Sequence, residues 1–307
     1  MGLVVENLVK TFGQNVAVNN LSFEMEHSGV FGLIGTNGAG KTTTIRIILG
    51  IMAADSGSAL WNGKPITRET LNFGYMPEER GIYMKSKVLD QLVYFGELRG
   101  MNRTDATRSA ISYLERLDVT EYKNMVAEKL SKGNQQKIQL IATLIHNPEL
   151  IFLDEPFSGL DPINTEALAT LIKELIAEKR YIVMSSHQMS TVEEFCENLA
   201  ILNRGATVLQ GNLAKIKAGY GHTNLAVTAE RIADSADIAK QCGLQLIETR
   251  ANETEYKITG DAMANNFLLR LVNAGIYPTK FVIKEPSLQE IFIEKVGEYN
   301  ASSANGI

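Results

Sequence analysis

The chain has 307 residues, of which 45% are hydrophobic and 21% charged, with a net charge of −5. This length allows a sizeable core and two domains, and the composition is that of an ordinary globular protein. The acidic balance argues against broad binding to phosphate backbones, so we expect no nucleic-acid partner.

Two cysteines, Cys196 and Cys242, lie far apart and suggest no disulfide framework, which favours a reducing compartment. The N-terminus lacks the basic start and long apolar stretch of a signal peptide, and no window of 18 apolar residues occurs. We therefore expect a cytoplasmic protein. If it serves a membrane process, another chain has to supply the membrane part.

Apolar periodicity predicts an α/β fold. The first 30 residues and Ser56–Gly63 alternate like an antiparallel, half-exposed sheet. Continuous apolar runs predict strands buried on both faces of a parallel sheet. These runs are Val30–Ile34, Leu150–Leu153, Tyr181–Met184 and Leu199–Leu202. Residues 80–146 are predicted to be almost all helix, and Asp161-Pro162 is predicted to begin a further helix through a capping carboxylate followed by proline.

The pattern of predicted strands and helices changes after about Gly219. We therefore place a domain boundary between residues 218 and 219, with a linker near Lys217–His222. The order beyond it is strand, helix, strand, strand, helix, strand, which predicts a small ferredoxin-like α+β domain over residues 219–307. The predicted strands are Leu225–Thr228, Leu244–Thr249, Glu255–Thr259 and Thr279–Lys284, and the predicted helices are Ile232–Gln241, Met263–Ala274 and a last one at Ser287–Val296.

A glycine-rich loop follows the strand that ends at Ile34 and opens a helix running to about Leu49. The loop and first helical residues are Gly35, Thr36, Asn37, Gly38, Ala39, Gly40, Lys41, Thr42 and Thr43. Glycines let backbone amides turn inward, and the helix N-terminus adds partial positive charge, so the segment favours a bound phosphate. We expect Lys41 to reach the terminal phosphates of a nucleotide and the Thr42 hydroxyl to ligate Mg²⁺.

An acidic pair, Asp154 and Glu155, ends the apolar run Leu150–Leu153, at the strand end where open parallel sheets keep their ligand sites. We expect Asp154 to hold Mg²⁺, directly or through water, and Glu155 to polarise the attacking water as general base. The alternative is that two acidic residues simply end a strand.

His187 ends another apolar strand at the same edge of the predicted sheet. We expect it to hydrogen-bond the γ-phosphate and to sense its loss. Structural roles are expected for the other histidines, which are His27, His146 and His222.

Together with Leu130-Ser131-Lys132-Gly133-Asn134, these features make residues 3–215 resemble ATP-binding-cassette (ABC) proteins, whose signature motif is LSGGQ. Ser158-Gly159-Leu160-Asp161 looks like the family's D-loop. The resemblance implies an ATPase with ATP and Mg²⁺ as cofactors. It implies a P-loop NTPase fold over residues 1–218, with a RecA-like core, an antiparallel β subdomain and a helical subdomain at about residues 80–146.

The resemblance also implies a head-to-tail homodimer. Each ATP would lie between the Gly35–Thr43 loop of one subunit and the signature segment of the other. That segment is Ser131, Lys132, Gly133 and Asn134, in which Lys132 and Asn134 depart from the family pattern. The Ser131 hydroxyl, the Gly133 amide and a helix N-terminus would form a second anion site. Phe12 stands where the family stacks an aromatic ring on adenine, and its alternative is a place in the core.

Glu78 stands where the family has its Q-loop glutamine. The resemblance implies a switch residue that approaches Mg²⁺ or water, although phosphate would repel its charge unless a cation intervenes. The alternative is an exposed acidic loop in which Glu78 pairs with Arg80.

The stretch Tyr75–Tyr83 and the extra C-terminal domain resemble bacterial exporter ATPases that pair with ABC-2-type permeases, including sodium-export (Nat-type) systems. This resemblance implies a position at the inner face of the cell membrane through the permease. Sodium, drug-like compounds and peptides are the implied substrates. Tyr83 and Met84 would lie near the groove that receives the permease, or pack inside the helical subdomain.

Two other functions compete with that of a transport motor. One is a soluble ABC ATPase acting on ribosomes or DNA, which the single cassette and the absence of sustained heptads disfavour. The other is a module that traps ATP without turnover, which predicts loss of Glu155 or His187, yet both are present. The C-terminal domain could regulate the dimer, contact a partner, bind an effector or only stabilise the assembly.

Overall fold

The computed structural model describes residues 2–67, 69–79, 81–250 and 253–304. The chain divides into two compact units, Met1–Gln210 and Gly211–Ile307. This division lies N-terminal to the boundary predicted between residues 218 and 219, because Leu213–Tyr220 is a helix that includes part of the expected linker. Gly221 follows it with a φ of +66°, a backbone conformation that glycine adopts more readily than residues with a side chain.

A ten-stranded sheet with flanking helices forms the first unit. Its strands are β1 (Leu3–Phe12), β2 (Asn15–Met25), β3 (Gly29–Ile34), β4 (Ser56–Trp61), β5 (Lys64–Pro65), β6 (Phe73–Met76), β7 (Leu150–Asp154), β8 (Tyr181–Ser186), β9 (Asn198–Asn203) and β10 (Ala206–Asn212). Its helices are α1 (Lys41–Ile48), α2 (Val88–Leu98), α3 (Arg103–Arg116), α4 (Lys132–Leu144), α5 (Pro162–Ala177) and α6 (Met189–Phe195). The strand order is β5-β4-β1-β2-β10-β9-β3-β8-β7-β6.

Five neighbouring strands, β9, β3, β8, β7 and β6, pair in parallel. Their side chains are almost all buried, because helices cover both faces of a parallel sheet. The four apolar runs predicted as parallel strands are therefore confirmed. The register pairs Ile34 with Ser186, and Asp154 with Ser185. The carboxyl ends of β3, β7 and β8 therefore reach the same edge of the sheet.

The predicted antiparallel part is confirmed in β1, which pairs antiparallel with both β2 and β4. Its inward side chains, Leu3, Val5 and Leu8, are nearly inaccessible to solvent and belong to the main core. The core continues across strands through Phe23, whose ring stacks on Phe31 with centroids 4.3 Å apart. This packing fixes the antiparallel strands against β3, the strand that leads into the glycine-rich loop.

Residues 80–146 are less helical than predicted. Helices α2, α3 and α4 are present, but residues 117–131 form turns and the short 3₁₀ helices Thr120–Tyr122 and Ala127–Lys129. Asp118 has a φ of +52°, a left-handed conformation that an α-helix cannot continue through. Leu117 and Val119, on either side of it, are buried.

The second unit contains α7 (Leu213–Tyr220), followed by a four-stranded antiparallel sheet and three helices. The sheet comprises β11 (Asn224–Thr228), β12 (Gln245–Arg250), β13 (Glu253–Lys257) and β14 (Lys280–Lys284), and the helices are α8 (Ala236–Gln241), α9 (Asp261–Asn273) and α10 (Leu288–Ala304). The strand order β12-β13-β11-β14 and the β-α-β-β-α-β succession are those of a ferredoxin-like domain, as predicted. Its own core centres on Phe267, against which the ring of Tyr256 packs edge-on at 5.4 Å.

Phe267→Ala is expected to lower the free energy of unfolding of the second unit by about 3–5 kcal/mol, because it leaves a cavity in a fully packed core. Leu269→Ala in the same helix is the matched control, since Leu269 is 65% exposed and should change stability by about 0.5 kcal/mol or less. Urea unfolding of the full chain, with hydrogen exchange followed in residues 224–284, measures both. Equal losses in the two variants would contradict this core assignment.

Candidate active site

The glycine-rich loop joins β3 to α1, as predicted. Gly40 has a φ of +104°, and a Cβ there would lie 2.2 Å from the Ala17 carbonyl oxygen. Glycine is therefore required both by the backbone conformation and by the close approach of β2. The loop lines a cavity of about 430 Å³, so its amides and the start of α1 form the wall of an open pocket. Such a helix start attracts anions.

Lys41 lies folded over this loop and is 6% exposed. Its Nζ donates to the Gly35 carbonyl oxygen at 2.7 Å and forms an ion pair with Glu155 Oε1 at 3.1 Å. The loop and the end of β7 are thus joined by one ammonium group. A triphosphate seated on the loop would meet this positive charge.

Asp154 is completely buried at the end of β7. Its pKa is raised from the ordinary value, mainly because burial disfavours the charged carboxylate, while the nearby hydroxyls of Ser185 and Thr42 oppose that shift. Oδ1 accepts a hydrogen bond from Ser185 Oγ at 2.5 Å, and Oδ2 has no hydrogen-bond partner within the described part of the chain. A buried carboxylate oxygen of this kind suits a hard cation such as Mg²⁺.

Glu155 is 4% exposed, and its carboxylate lies between Lys41 and His187. The Nδ1 atom of His187 is 2.8 Å from Glu155 Oε2, which joins the ends of β7 and β8. The backbone of Glu155 has a φ of +52°, a left-handed conformation that costs a residue with a side chain about 1–2 kcal/mol. The structure thus brings together Lys41, Asp154, Glu155 and His187.

Ser185 takes part in the site without having been assigned a role from sequence. Its hydroxyl contacts Asp154, and it also accepts a hydrogen bond from the Glu155 backbone N–H at 3.0 Å. The available signal was a polar residue at the end of an apolar strand, next to the predicted His187. Sequence alone does not show which neighbour such a hydroxyl bonds.

Ser131 caps the N-terminus of α4, where its Oγ accepts from the Asn134 N–H at 3.2 Å. Within the described chain this segment lies against α5. A Cβ on Gly133 would lie 2.3 Å from Asn164 Nδ2, so the Asn164 side chain covers this glycine closely. Lys132 is exposed on the first turn of α4.

The predicted start of α5 is confirmed. Asp161 Oδ1 accepts from the Asn164 N–H at 3.0 Å, and Pro162 occupies the first turn. These hydrogen bonds from Asn164 lower the pKa of the Asp161 carboxyl. The residues that resemble the D-loop therefore lead directly into α5, whose N-terminus is capped by Asp161. Helix α5 packs against the signature segment.

Phe12 and Glu78 line the same cavity as the glycine-rich loop. Phe12 is 47% exposed, so it lies on the pocket wall rather than in the core. Arg80, the alternative partner considered for Glu78, lies outside the described residues. The structure therefore brings both predicted residues to the phosphate pocket, and their roles there stay predictions.

The other histidines differ from His187 in their surroundings. His146 is buried, and its Nε2 lies 3.0 Å from the Phe73 carbonyl oxygen. Burial lowers the pKa of His146 to about 4, which keeps this ring neutral. His222 pairs with Asp261 on the surface of the second unit, and His27 is an exposed residue after β2.

A parallel sheet, a phosphate-binding loop after β3 and two carboxylates at the end of β7, on the same edge of the sheet, define a P-loop nucleotide-binding protein. Comparison with known families matches residues 18–158 to the ABC transporter family and residues 211–296 to the DrrA1-3-like ATP-binding protein C-terminal domain. The chain belongs to the ATP-binding proteins of ABC transporters, which bind and hydrolyse ATP.

Two relatives in Bacillus subtilis (strain 168) match nearly the whole chain. The ABC transporter ATP-binding protein YhaQ is 43% identical over 96% of this chain and 98% of its own length. The linearmycin resistance ATP-binding protein LnrL is 28% identical over 96% of this chain and 98% of its own length.

Solved structures agree on the fold. The ATP-binding subunit of an ABC transporter superposes with a TM-score of 0.65 at 27% identity, covering 72% of this chain and 93% of that one. The ADP conformation of another ATP-binding cassette gives a TM-score of 0.61 at 25% identity, covering 70% and 92%. In the described residues, no helix has the length and apolar character needed to cross a membrane.

Gly40→Ala is expected to weaken ATP binding at least about tenfold, because the new Cβ would collide with the Ala17 carbonyl and displace the loop. Gly13→Ala is the matched control, since Gly13 also has a positive φ but a Cβ there meets nothing within 4 Å. Titration with ATP by calorimetry measures both variants. Unchanged affinity in Gly40→Ala would show that the loop tolerates a side chain at this position.

Proposed function

We propose that two copies of this chain close head to tail on two ATP molecules and drive a separate ABC-2-type permease, as the motor of a bacterial exporter. The observation that carries this proposal is the cluster at the end of the phosphate loop, where Lys41 pairs with Glu155, Glu155 pairs with His187, and Asp154 lies near Thr42. The cassette would occupy the first unit, with a helical subdomain at about residues 80–146, and the second unit would be an accessory domain.

Within one subunit, the loop amides and Lys41 would bind the phosphates. Thr42 and Asp154 would hold Mg²⁺, and the orphaned Oδ2 of Asp154 supports this assignment. When bound, Mg²⁺ supplies a charge that neutralises phosphate oxygens. Glu78 would approach this cation or a water molecule, since it lines the same pocket. With a cation between them, the repulsion between Glu78 and phosphate is relieved.

Glu155 would act as general base towards the attacking water. Its carboxylate already lies within hydrogen-bonding reach of His187 and beside the Lys41 ammonium. His187 is partly exposed, so its ring can reach towards a γ-phosphate while it orients the carboxylate. A general base held by a positioned partner is a common arrangement in catalysis.

The second half of each ATP site would come from the partner copy. Ser131, Lys132, Gly133 and Asn134 form the exposed or half-buried start of α4 around a buried glycine, where a helix N-terminus favours anions. Phe12 on the pocket wall would stack on adenine.

The permease would act on an aromatic surface of the helical subdomain, formed by Tyr83, Tyr94 and Phe95. Tyr83 and Tyr94 are about half exposed, and the Tyr83 ring stacks on Phe95 with centroids 5.5 Å apart. A cavity of about 220 Å³ lies beside it, lined by Pro77, Gly81, Phe95, Leu98 and Gln139 among others. Exposed aromatic residues beside a cleft suit an inserted helix from a partner.

Contacts inside the cassette link this surface to the ATP site. The side-chain amide of Gln91 bonds the backbone of Tyr83, with the Tyr83 N–H donating to Oε1 at 2.9 Å. Gln139 of α4 donates to the carbonyl oxygens of Pro77 at 2.6 Å and Glu79 at 3.0 Å, on either side of Glu78. A movement of the permease would thereby reach both Glu78 and the helix that begins at Ser131.

Two points support export. One relative is named a linearmycin resistance ATP-binding protein. The chain also resembles sodium-export systems. Sodium, drug-like compounds and peptides are the proposed substrate classes. The assembly would work at the inner face of the cell membrane, where the permease supplies the membrane-spanning part. A soluble ABC ATPase without a permease remains the alternative that experiment must exclude.

Glu155→Gln should abolish hydrolysis while ATP binding continues, so an ATP-bound dimer should accumulate. Removing the charge removes the base and also relieves repulsion with phosphate. Light scattering with and without Mg-ATP measures the dimer, and Glu149→Gln, an exposed change at the other end of β7, is the control. A variant that stays monomeric at saturating ATP would contradict the shared site.

Tyr94→Asp should abolish co-purification of the chain with a polytopic membrane protein from cells of its source, because a charge is placed in the aromatic surface. Ile51→Asp is the matched control, since Ile51 is 59% exposed and lies outside that surface. Affinity capture from detergent extracts measures both. Capture of ribosomes or DNA in place of a membrane protein would favour the soluble alternative.

A further inference from the structure

We infer that Ser185 positions both carboxylates of the site, fixing Asp154 for the cation and Glu155 for the attacking water. This inference rests on the proposed roles of those two residues. Ser185 would be a positioning residue rather than a catalytic one, because its hydroxyl acts through its bonds to Asp154 and to the Glu155 backbone. It lies at the end of β8 and is fully buried.

The hydroxyl of Ser185 has one proton, and its two contacts are directional. Its Oγ donates to Asp154 Oδ1 at 2.5 Å and accepts from the Glu155 backbone N–H at 3.0 Å. A backbone N–H can only donate, so it occupies a lone pair of the hydroxyl. The proton is then directed at the Asp154 carboxylate, which fixes the orientation of that side chain.

The first consequence concerns the cation. Since Oδ1 of Asp154 is bonded to the hydroxyl, the oxygen left for a ligand is Oδ2, which has no hydrogen-bond partner in the described residues. Groups that orient a metal-binding carboxylate in this way are second neighbours of the metal, and their loss typically weakens metal affinity about 10–100-fold. Ser185 thus selects which oxygen of Asp154 is presented beside Thr42.

The second consequence concerns Glu155, whose φ of +52° is unfavourable for a residue with a side chain. Its N–H is held by two acceptors of the same residue, Ser185 Oγ at 3.0 Å and the Ser185 carbonyl oxygen at 3.3 Å. This clamp holds the turn after β7 in the conformation that aims the Glu155 side chain between Lys41 and His187. Without the hydroxyl, only the longer of the two bonds remains.

The neighbouring Ser186 provides a matched control. Its Oγ accepts from the Gln188 N–H at 2.9 Å, a local turn contact, and it is as deeply buried, at 3% exposed. Removing either hydroxyl deletes one oxygen atom from the same strand end. Only the Ser185 change removes a bond to the two acidic residues.

The test measures how much Mg²⁺ is needed to form the ATP-bound dimer, in the Glu155→Gln background where hydrolysis does not interfere. Light scattering would follow the dimer as Mg²⁺ is titrated at fixed ATP. Ser185→Ala is expected to raise the midpoint Mg²⁺ concentration at least about tenfold. Ser186→Ala should leave it within about twofold, and Ser185→Thr, which keeps the hydroxyl, should restore most of the loss. Binding of ATP in EDTA should be the same in all of these variants.

Asp154→Ala in the same background separates the two ideas. If it raises the midpoint and Ser185→Ala does not, the inference about Ser185 is overturned while the proposed cation site stands. If Asp154→Ala leaves the midpoint unchanged, the proposed role of Asp154 fails first. Thermal unfolding checks that each variant is folded. If Ser185→Ala does not fold, Ser185→Cys takes its place. Because the S–H group is a weak donor, this variant is expected to raise the midpoint Mg²⁺ concentration. An unchanged midpoint in Ser185→Cys would also overturn the inference.

Discussion

The ion pair between Lys41 and Glu155 is the interaction on which the rest of the site depends. Both side chains are almost fully buried, at 6% and 4% exposed, so neither charge is compensated by water. Removing one partner of such a pair typically destabilises a protein by about 3–5 kcal/mol, because the other charge is left buried and alone. The phosphate loop after β3 and the end of β7 are consequently tied to each other before any ligand is considered.

This pair also explains how nucleotide and protein can act on each other. In the proposed site, phosphate oxygens would compete with the Glu155 carboxylate for the ammonium of Lys41, and a carboxylate released from Lys41 would still have His187 at 2.8 Å. The Gly35 carbonyl, which Lys41 also contacts, belongs to the loop that would hold the phosphates. A change in the bound phosphate therefore alters the electrostatic surroundings of the proposed base directly, without a conformational change elsewhere.

Sequence patterns predicted most of the fold because buried parallel strands are continuous apolar runs, and their carboxyl ends must meet at one edge. This geometry was enough to group Lys41, Asp154, Glu155 and His187. It could not reveal Ser185 as the link between the two acids, since a hydroxyl shows no preference for one neighbour in sequence. Helix was over-predicted near residues 117–131 because apolar periodicity does not report backbone conformation, such as the left-handed φ of Asp118 just after α3.

Helix α4 contacts three separate parts of the first unit that have proposed functions. Its residues Gln136 and Gln139 are three apart, so their side chains leave neighbouring parts of the helix surface. Gln139 bonds the backbone on either side of Glu78, and Gln136 donates to the carbonyl oxygen of Pro156 at 3.0 Å, directly after Glu155. Ser131 caps the N-terminus of the same helix. One rigid element thus contacts the segment beside the proposed permease surface, the turn that carries the proposed base, and the segment offered to the partner's ATP. A rotation of α4 would change all three contacts together, as the proposed motor of two chains would require.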